Sequence, residues 1–172
     1  MLNFNGIEPE GLWLLAENRL KESKAFYDEN KGRLKILVSE PMSALVRDIT
    51  PMMSRLDRHM HLNPDGSISK IKSDARGAKD RPLYRDKVWF MLRRLGGMPV
   101  PGLWFEVSPS YYGYGLCVLN SCPKFMQFFR NHIDHSRRAL GHALRPAESF
   151  GFSVGGEEYK RPKKSGLKGR IS

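Results

Sequence analysis

The spacing of apolar residues changes near position 61, and that change restricts the chain to folds in which helices and sheet are separate in sequence. Before it, Leu34, Leu37, Val38, Leu45, Val46, Ile49 and Met53 recur at three- and four-residue intervals, as on one face of a helix. Beyond it, residues 87–92, 103–107 and 114–119 are short runs rich in aromatic and β-branched side chains, divided by Gly/Pro turns, as antiparallel strands are. The junction, residues 61–67, is dense in turn formers. The pattern predicts an α+β fold, with an N-terminal helical layer packed on an antiparallel sheet and a further helix before the last strand.

Local signals place the elements. Glu8-Pro9-Glu10 before Leu12, Trp13, Leu14 and Leu15 suits a helix start, since Pro and acidic residues are both favoured in a first turn. A second helix is expected from Ser23, and Pro41 is expected to start a fresh helix within the periodic run. Ser121 can cap a helix carrying Phe125, Phe128, Phe129, His132 and Ile133, extending to residue 144. Phe150, Phe152 and Val154 alternate as in a last strand. At 172 residues the chain is expected to be a single α+β domain over residues 1–162, with a basic flexible tail at 163–172.

No apolar run is long enough to span a membrane, and the N-terminus has neither a basic start nor an apolar stretch of signal-peptide type. A cytoplasmic location with Cys117 and Cys122 as free thiols is therefore expected. The net charge of +11 is local. Residues 1–60 hold nine basic and nine acidic side chains; residues 70–94 hold nine against three, and residues 160–172 six against none. That distribution fits a basic element in mid-chain plus a solvated tail better than a surface coated with nucleic acid.

Residues 70–85 pack charges of both signs into a loop-like segment between apolar runs. Asp74 and Arg76 are two apart and share a face of an extended backbone, and Lys79 adjoins Asp80. The segment resembles the hallmark of the domain of unknown function 2461 family, matching it without a gap at Ile71, Asp74, Arg76, Lys79, Asp80 and Tyr84, with conservative exchanges at Lys70, Arg81 and Arg85. The resemblance extends over roughly residues 4–162, through Phe4-Asn5-Gly6-Ile7, residues 26–31, Tyr114-Gly115-Leu116, Arg130 and residues 155–162. Ser73 stands where the family usually has Arg, Gly77 and Ala78 replace Phe-Ser, and Leu83 stands where Pro usually precedes the Tyr. The resemblance implies a fold and no assigned activity.

Three functional readings remain open. In the first, Asp74 and Asp80 neutralise Arg76, Lys79 and Arg130 in a network that fixes a loop, because buried charges require partners. In the second, Arg76, Lys79 and Arg130 bind a phosphate or carboxylate, Asp74 orients Arg76, Asp80 joins the site, and Tyr84 donates a hydrogen bond or shuttles a proton. The third, less favoured, is nucleic-acid or acidic-partner binding through Lys160, Arg161, Lys163, Lys164, Lys168 and Arg170, with Tyr111, Tyr112 and Tyr114 as stacking faces. His132 and His135, with Asp134 and His142 nearby, lack a third ligand at a recognised spacing, so no metal is expected, and no cofactor motif is present.

Overall fold

Helix α1 (Pro9–Lys21) begins with Pro9, whose missing N–H is harmless there, and has Glu10 in its first turn. It ends at Glu22, which adopts a left-handed φ of 46°. The Glu22 carboxylate accepts the Leu83 N–H at 2.7 Å and pairs with Arg19 at 2.9 Å. These contacts offset the steric cost of a side chain in that conformation. Ser23 caps α2 (Lys24–Leu34), its Oγ accepting the Phe26 N–H. The computed structural model describes residues 2–73, 82–96, 101–119 and 121–151, which fall into two compact units, Met1–Asn120 and Ser121–Ser172.

After α2 the backbone widens into a π-helical stretch, Lys35–Ser39, and continues without a break into α3 (Glu40–Leu56). The expected fresh start at Pro41 is thus replaced by a continuous helix with Pro41 at the second position of α3. The widened turn accounts for this. A proline ring within an α-helix collides with the carbonyl four residues back, and bonding to the fifth residue instead relieves that collision. Helix α1 packs on the same stretch at Gly11, where a β-carbon would lie 2.8 Å from the Leu37 carbonyl oxygen. Only glycine allows so close a backbone approach.

The sheet comprises β1 (Met60–His61), β2 (Val88–Arg94), β3 (Gly102–Val107) and β4 (Tyr112–Cys117), antiparallel throughout and ordered β1-β2-β3-β4. Between β1 and the rest of the sheet edge lies a short helix, α4 (Pro64–Ser67), capped by Asn63. The chain then returns to β2. Ile68 bridges Phe90, Ser69 donates its N–H to the Trp89 carbonyl, and Lys72 bridges Tyr84. Residues 60–73 and 83–94 are therefore the two arms of one interrupted antiparallel hairpin. Alternation along β2 turns Val88, Phe90 and Leu92 inward against Leu15, Leu34, Val38, Met42 and Val46 of the helical layer.

Asn18 of α1 is fully buried, and among the described residues neither its amide oxygen nor its amide nitrogen has a partner. An unpaired buried amide forfeits its hydration, so Asn18→Leu is expected to raise the unfolding free energy by about 1–2 kcal/mol. Chemical denaturation checks this, and a destabilised Asn18→Leu would show that the amide is satisfied in solution.

Two carboxylates tie the first unit together. Asp48 is lowered from the usual carboxylate value chiefly because it accepts the Phe4 N–H, with the Asn3 side chain and backbone adding to the effect. Asp57 is lowered chiefly by the Arg94 guanidinium and then by the His59 N–H. A carboxylate lowered on folding adds stability that is complete above its unfolded value of about 3.9 and lost as pH falls through the lower folded value. Melting temperature should therefore fall as pH drops below about 4, and fall less in the double variant Asp48→Asn, Asp57→Asn. An unchanged acid limb in that variant would exclude these two groups as its source.

In the second unit, α5 (Pro123–His135) is followed after Ser136 by α6 (Arg137–Ser149). The single helix expected to residue 144 is broken at Ser136, and the cap is the Cys122 Sγ, which accepts the Phe125 N–H at 3.4 Å, rather than Ser121. Phe125 stacks on Phe129 and Phe128 on His132 along α5. Phe150 lies in the turn after α6, while Phe152, Val154 and the basic tail at 163–172 lie outside the described residues. Cys117 and Cys122 are free thiols. Among the described residues no helix is long and apolar enough to cross a membrane.

Candidate functional site

Of the six residues singled out from the sequence, Asp74, Arg76, Lys79 and Asp80 lie outside the described residues. Tyr84 and Arg130 are described and belong to different units. Arg130 lies on α5 and is not without a partner. Tyr84 lies on the hairpin arm, 2% exposed, with its ring stacked on Tyr27 of α2 at a centroid distance of 4.9 Å. Burial pushes its phenol above the ordinary value, and Asp28, Tyr27 and Glu22 push the same way. Tyr84 is thus held as a neutral, packed ring, a property better suited to a wall than to a proton carrier.

The arms of the hairpin explain how Tyr84 shapes a site. Ser73 donates its N–H to the Leu83 carbonyl and Arg85 donates its N–H to the Ile71 carbonyl, so Lys72 and Tyr84 form a non-hydrogen-bonded cross-strand pair. Directly opposed side chains share a face. Lys72 therefore projects on the face where Tyr84 meets Tyr27, and Lys70, two residues earlier, shares it. The intervening Ile71 packs into the core. Arg85 stiffens this strand from the side, donating to the carbonyls of Lys70 and Lys72 while its guanidinium stacks 4.8 Å from the Trp89 ring.

Across from this strand runs a helical row. Lys31, Lys35 and Ser39 follow at four-residue steps along α2 and the π-helical stretch. In an α-helix such a row drifts by about 40° per step. The extra residue per turn in the π-helical stretch acts against that drift and keeps Ser39 in line with the lysines. Between the two walls lies an open cleft of about 720 Å³. Among the described residues, Lys31, Lys35 and Ser39 line it on one side, and Ser69, Lys70 and Lys72 on the other, with Tyr27, Gly32, Leu34 and Ile71 also in the lining. None of these lining residues is acidic. Among the described residues only Lys35, of the four lysines, has a carboxylate within ion-pair reach, the exposed Glu40 at 4.0 Å. At that distance and exposure the pair holds the ammonium loosely.

A second cleft, of about 340 Å³, offers a contrast. There Lys87 lies 3.0 Å from Glu106, and the Tyr111 hydroxyl donates to the same carboxylate. Hydrogen bonding to Glu106 raises the Lys87 value, with Tyr111 contributing. Its charges satisfy one another, as in a structural network. Among the described residues no group of three His, Cys, Asp or Glu side chains is placed to hold a metal ion.

Lys31, Lys35 and Ser39 are not prominent in the sequence, because each is an ordinary polar residue on a helix surface. The available signal is spacing: Lys31 and Lys35 one turn apart, Lys70 and Lys72 two apart on an extended segment. Residues 11–168 match the family model described as "Conserved hypothetical protein (DUF2461)". No curated protein and no solved structure matches the chain.

Proposed function

The chain belongs to the DUF2461 family, and on that premise we propose that its first unit binds a small phosphate- or carboxylate-bearing ligand in the cleft between α2 and the hairpin arm. The observation that carries this proposal is the meeting of four lysines from two separate walls on one cavity that, among the described residues, no carboxylate lines. Four like charges facing one space repel each other, and an anion placed among them converts that repulsion into attraction. Ser39 and Tyr27 add hydroxyl donors, and Leu34 and Ile71 supply an apolar floor for the body of a ligand. Lysine ammonium groups act as point charges without the fork of arginine, which suits a phosphate approached from several directions.

Calorimetric titration of the wild-type protein with pyrophosphate tests this. Saturable binding that weakens as salt rises is expected, together with a rise in melting temperature at about 1 mM ligand. Absence of both would remove the proposal.

A second reading is favoured by one observation: Tyr112, Tyr114 and Leu116 are 71%, 65% and 72% exposed and alternate along one face of β4. Exposed aromatic rings at that spacing offer stacking faces for single-stranded nucleic acid. Tyr111 contributes less, since its hydroxyl is bound to Glu106. Filter binding of an oligonucleotide by the protein and by a Tyr112→Ala, Tyr114→Ala variant separates this reading from the first, and equal retention would exclude it.

A further inference from the structure

We infer that the ligand of the lysine cleft carries two separated anionic groups, one for each wall. This deepens the proposed anion binding and rests on it. Lys31 and Lys35 are one helical turn apart on the α2 side, and Lys70 and Lys72 are two residues apart on the strand side. Each spacing places two ammonium groups on a common face, close enough to grip one anionic group together. On the helical wall Ser39 adds a hydroxyl donor beside its two lysines.

The cleft therefore repeats the same chemistry twice, across about 720 Å³ of open space. A single phosphate is far smaller than such a cavity and would engage one pair while leaving the other two ammonium groups in mutual repulsion. A molecule with a phosphate at each end engages both, and its second contact is made at the high effective concentration set by the first. The apolar floor of Leu34 and Ile71 lies where the carbon body linking the two groups would rest. A sugar bisphosphate, or another compact metabolite with two anionic ends, has this chemistry.

The test is calorimetric titration at low ionic strength with orthophosphate and with fructose 1,6-bisphosphate as a probe, on wild type and on two wall variants. The variants are Lys31→Gln with Lys35→Gln, and Lys70→Gln with Lys72→Gln; all four positions are exposed, so both should fold, and melting curves verify it. Wild type is expected to bind the bisphosphate on the order of 100-fold more tightly than orthophosphate. Either variant should bring bisphosphate affinity down to the orthophosphate level, while orthophosphate, left with one intact pair, weakens only about twofold through the loss of one of two equivalent pairs. Equal affinity of wild type for the two ligands would overturn the two-group inference and leave simple anion binding standing. So would one variant abolishing both ligands with the other silent. Failure of wild type to bind either ligand would remove the underlying anion-binding proposal as well.

Discussion

Tyr84→Ala is expected to lower the unfolding free energy by about 3–5 kcal/mol, the range for deleting a buried aromatic ring. The ring is almost wholly buried, stacks on Tyr27 and forms the cross-strand partner of Lys72, so its removal leaves a void beneath the cleft and frees the strand that carries Lys70 and Lys72. Tyr84→Phe keeps the stacked ring and should cost about 1 kcal/mol or less, the net worth of one hydrogen-bonding group. Urea denaturation of the two variants checks the order. Comparable losses in both would show that the hydroxyl, rather than the ring, holds this arm against α2.

Charge reversal at one wall should have the largest effect on binding. Two unit charges about 4 Å apart attract by about 1 kcal/mol in bulk water, so Lys70→Glu with Lys72→Glu removes two attractions and adds two repulsions, about 4 kcal/mol in all. That corresponds to roughly a thousandfold loss of affinity for pyrophosphate at low salt, and to less as ionic screening rises. A control with the same change in net charge, Lys24→Glu with Arg47→Glu, alters two exposed positions that are not among the residues lining the cleft. It should shift affinity several-fold at most, through the long-range field. Equal losses in the two variants would mean that pyrophosphate responds to overall charge and has no site between the walls.

The helical layer was legible because its apolar residues keep a helical period and because Ser23 and Pro9 mark helix starts in their usual roles. The strands were legible through their aromatic and β-branched runs, and the observed β2, β3 and β4 lie within two residues of expectation at each end. The π-helical stretch was not, since a change from four-residue to five-residue bonding leaves no compositional trace apart from the nearby proline. The break at Ser136 was also hidden, as an apolar stripe on α5 continues to suggest helix on either side of it. For the candidate site, Tyr84 of the charged motif sits on the hairpin arm opposite Lys72. Asp74, Arg76, Lys79 and Asp80 lie outside the described residues. The helical wall could not be read ahead of the fold. Lys31 and Lys72 are far apart in sequence and exposed, and only the pairing of residues 71–73 with 83–85, together with the stacking of Tyr84 on Tyr27, brings their elements to one cleft.

The most direct measurement is a crystal of the protein soaked in tungstate, an anion whose anomalous signal locates it without assumptions about binding. A tungsten peak between the Lys31–Lys35 row and the Lys70–Lys72 strand, lost in the Lys70→Glu, Lys72→Glu variant, is the predicted result. Peaks confined to other parts of the surface, with the cleft empty at saturating tungstate, would contradict anion binding there.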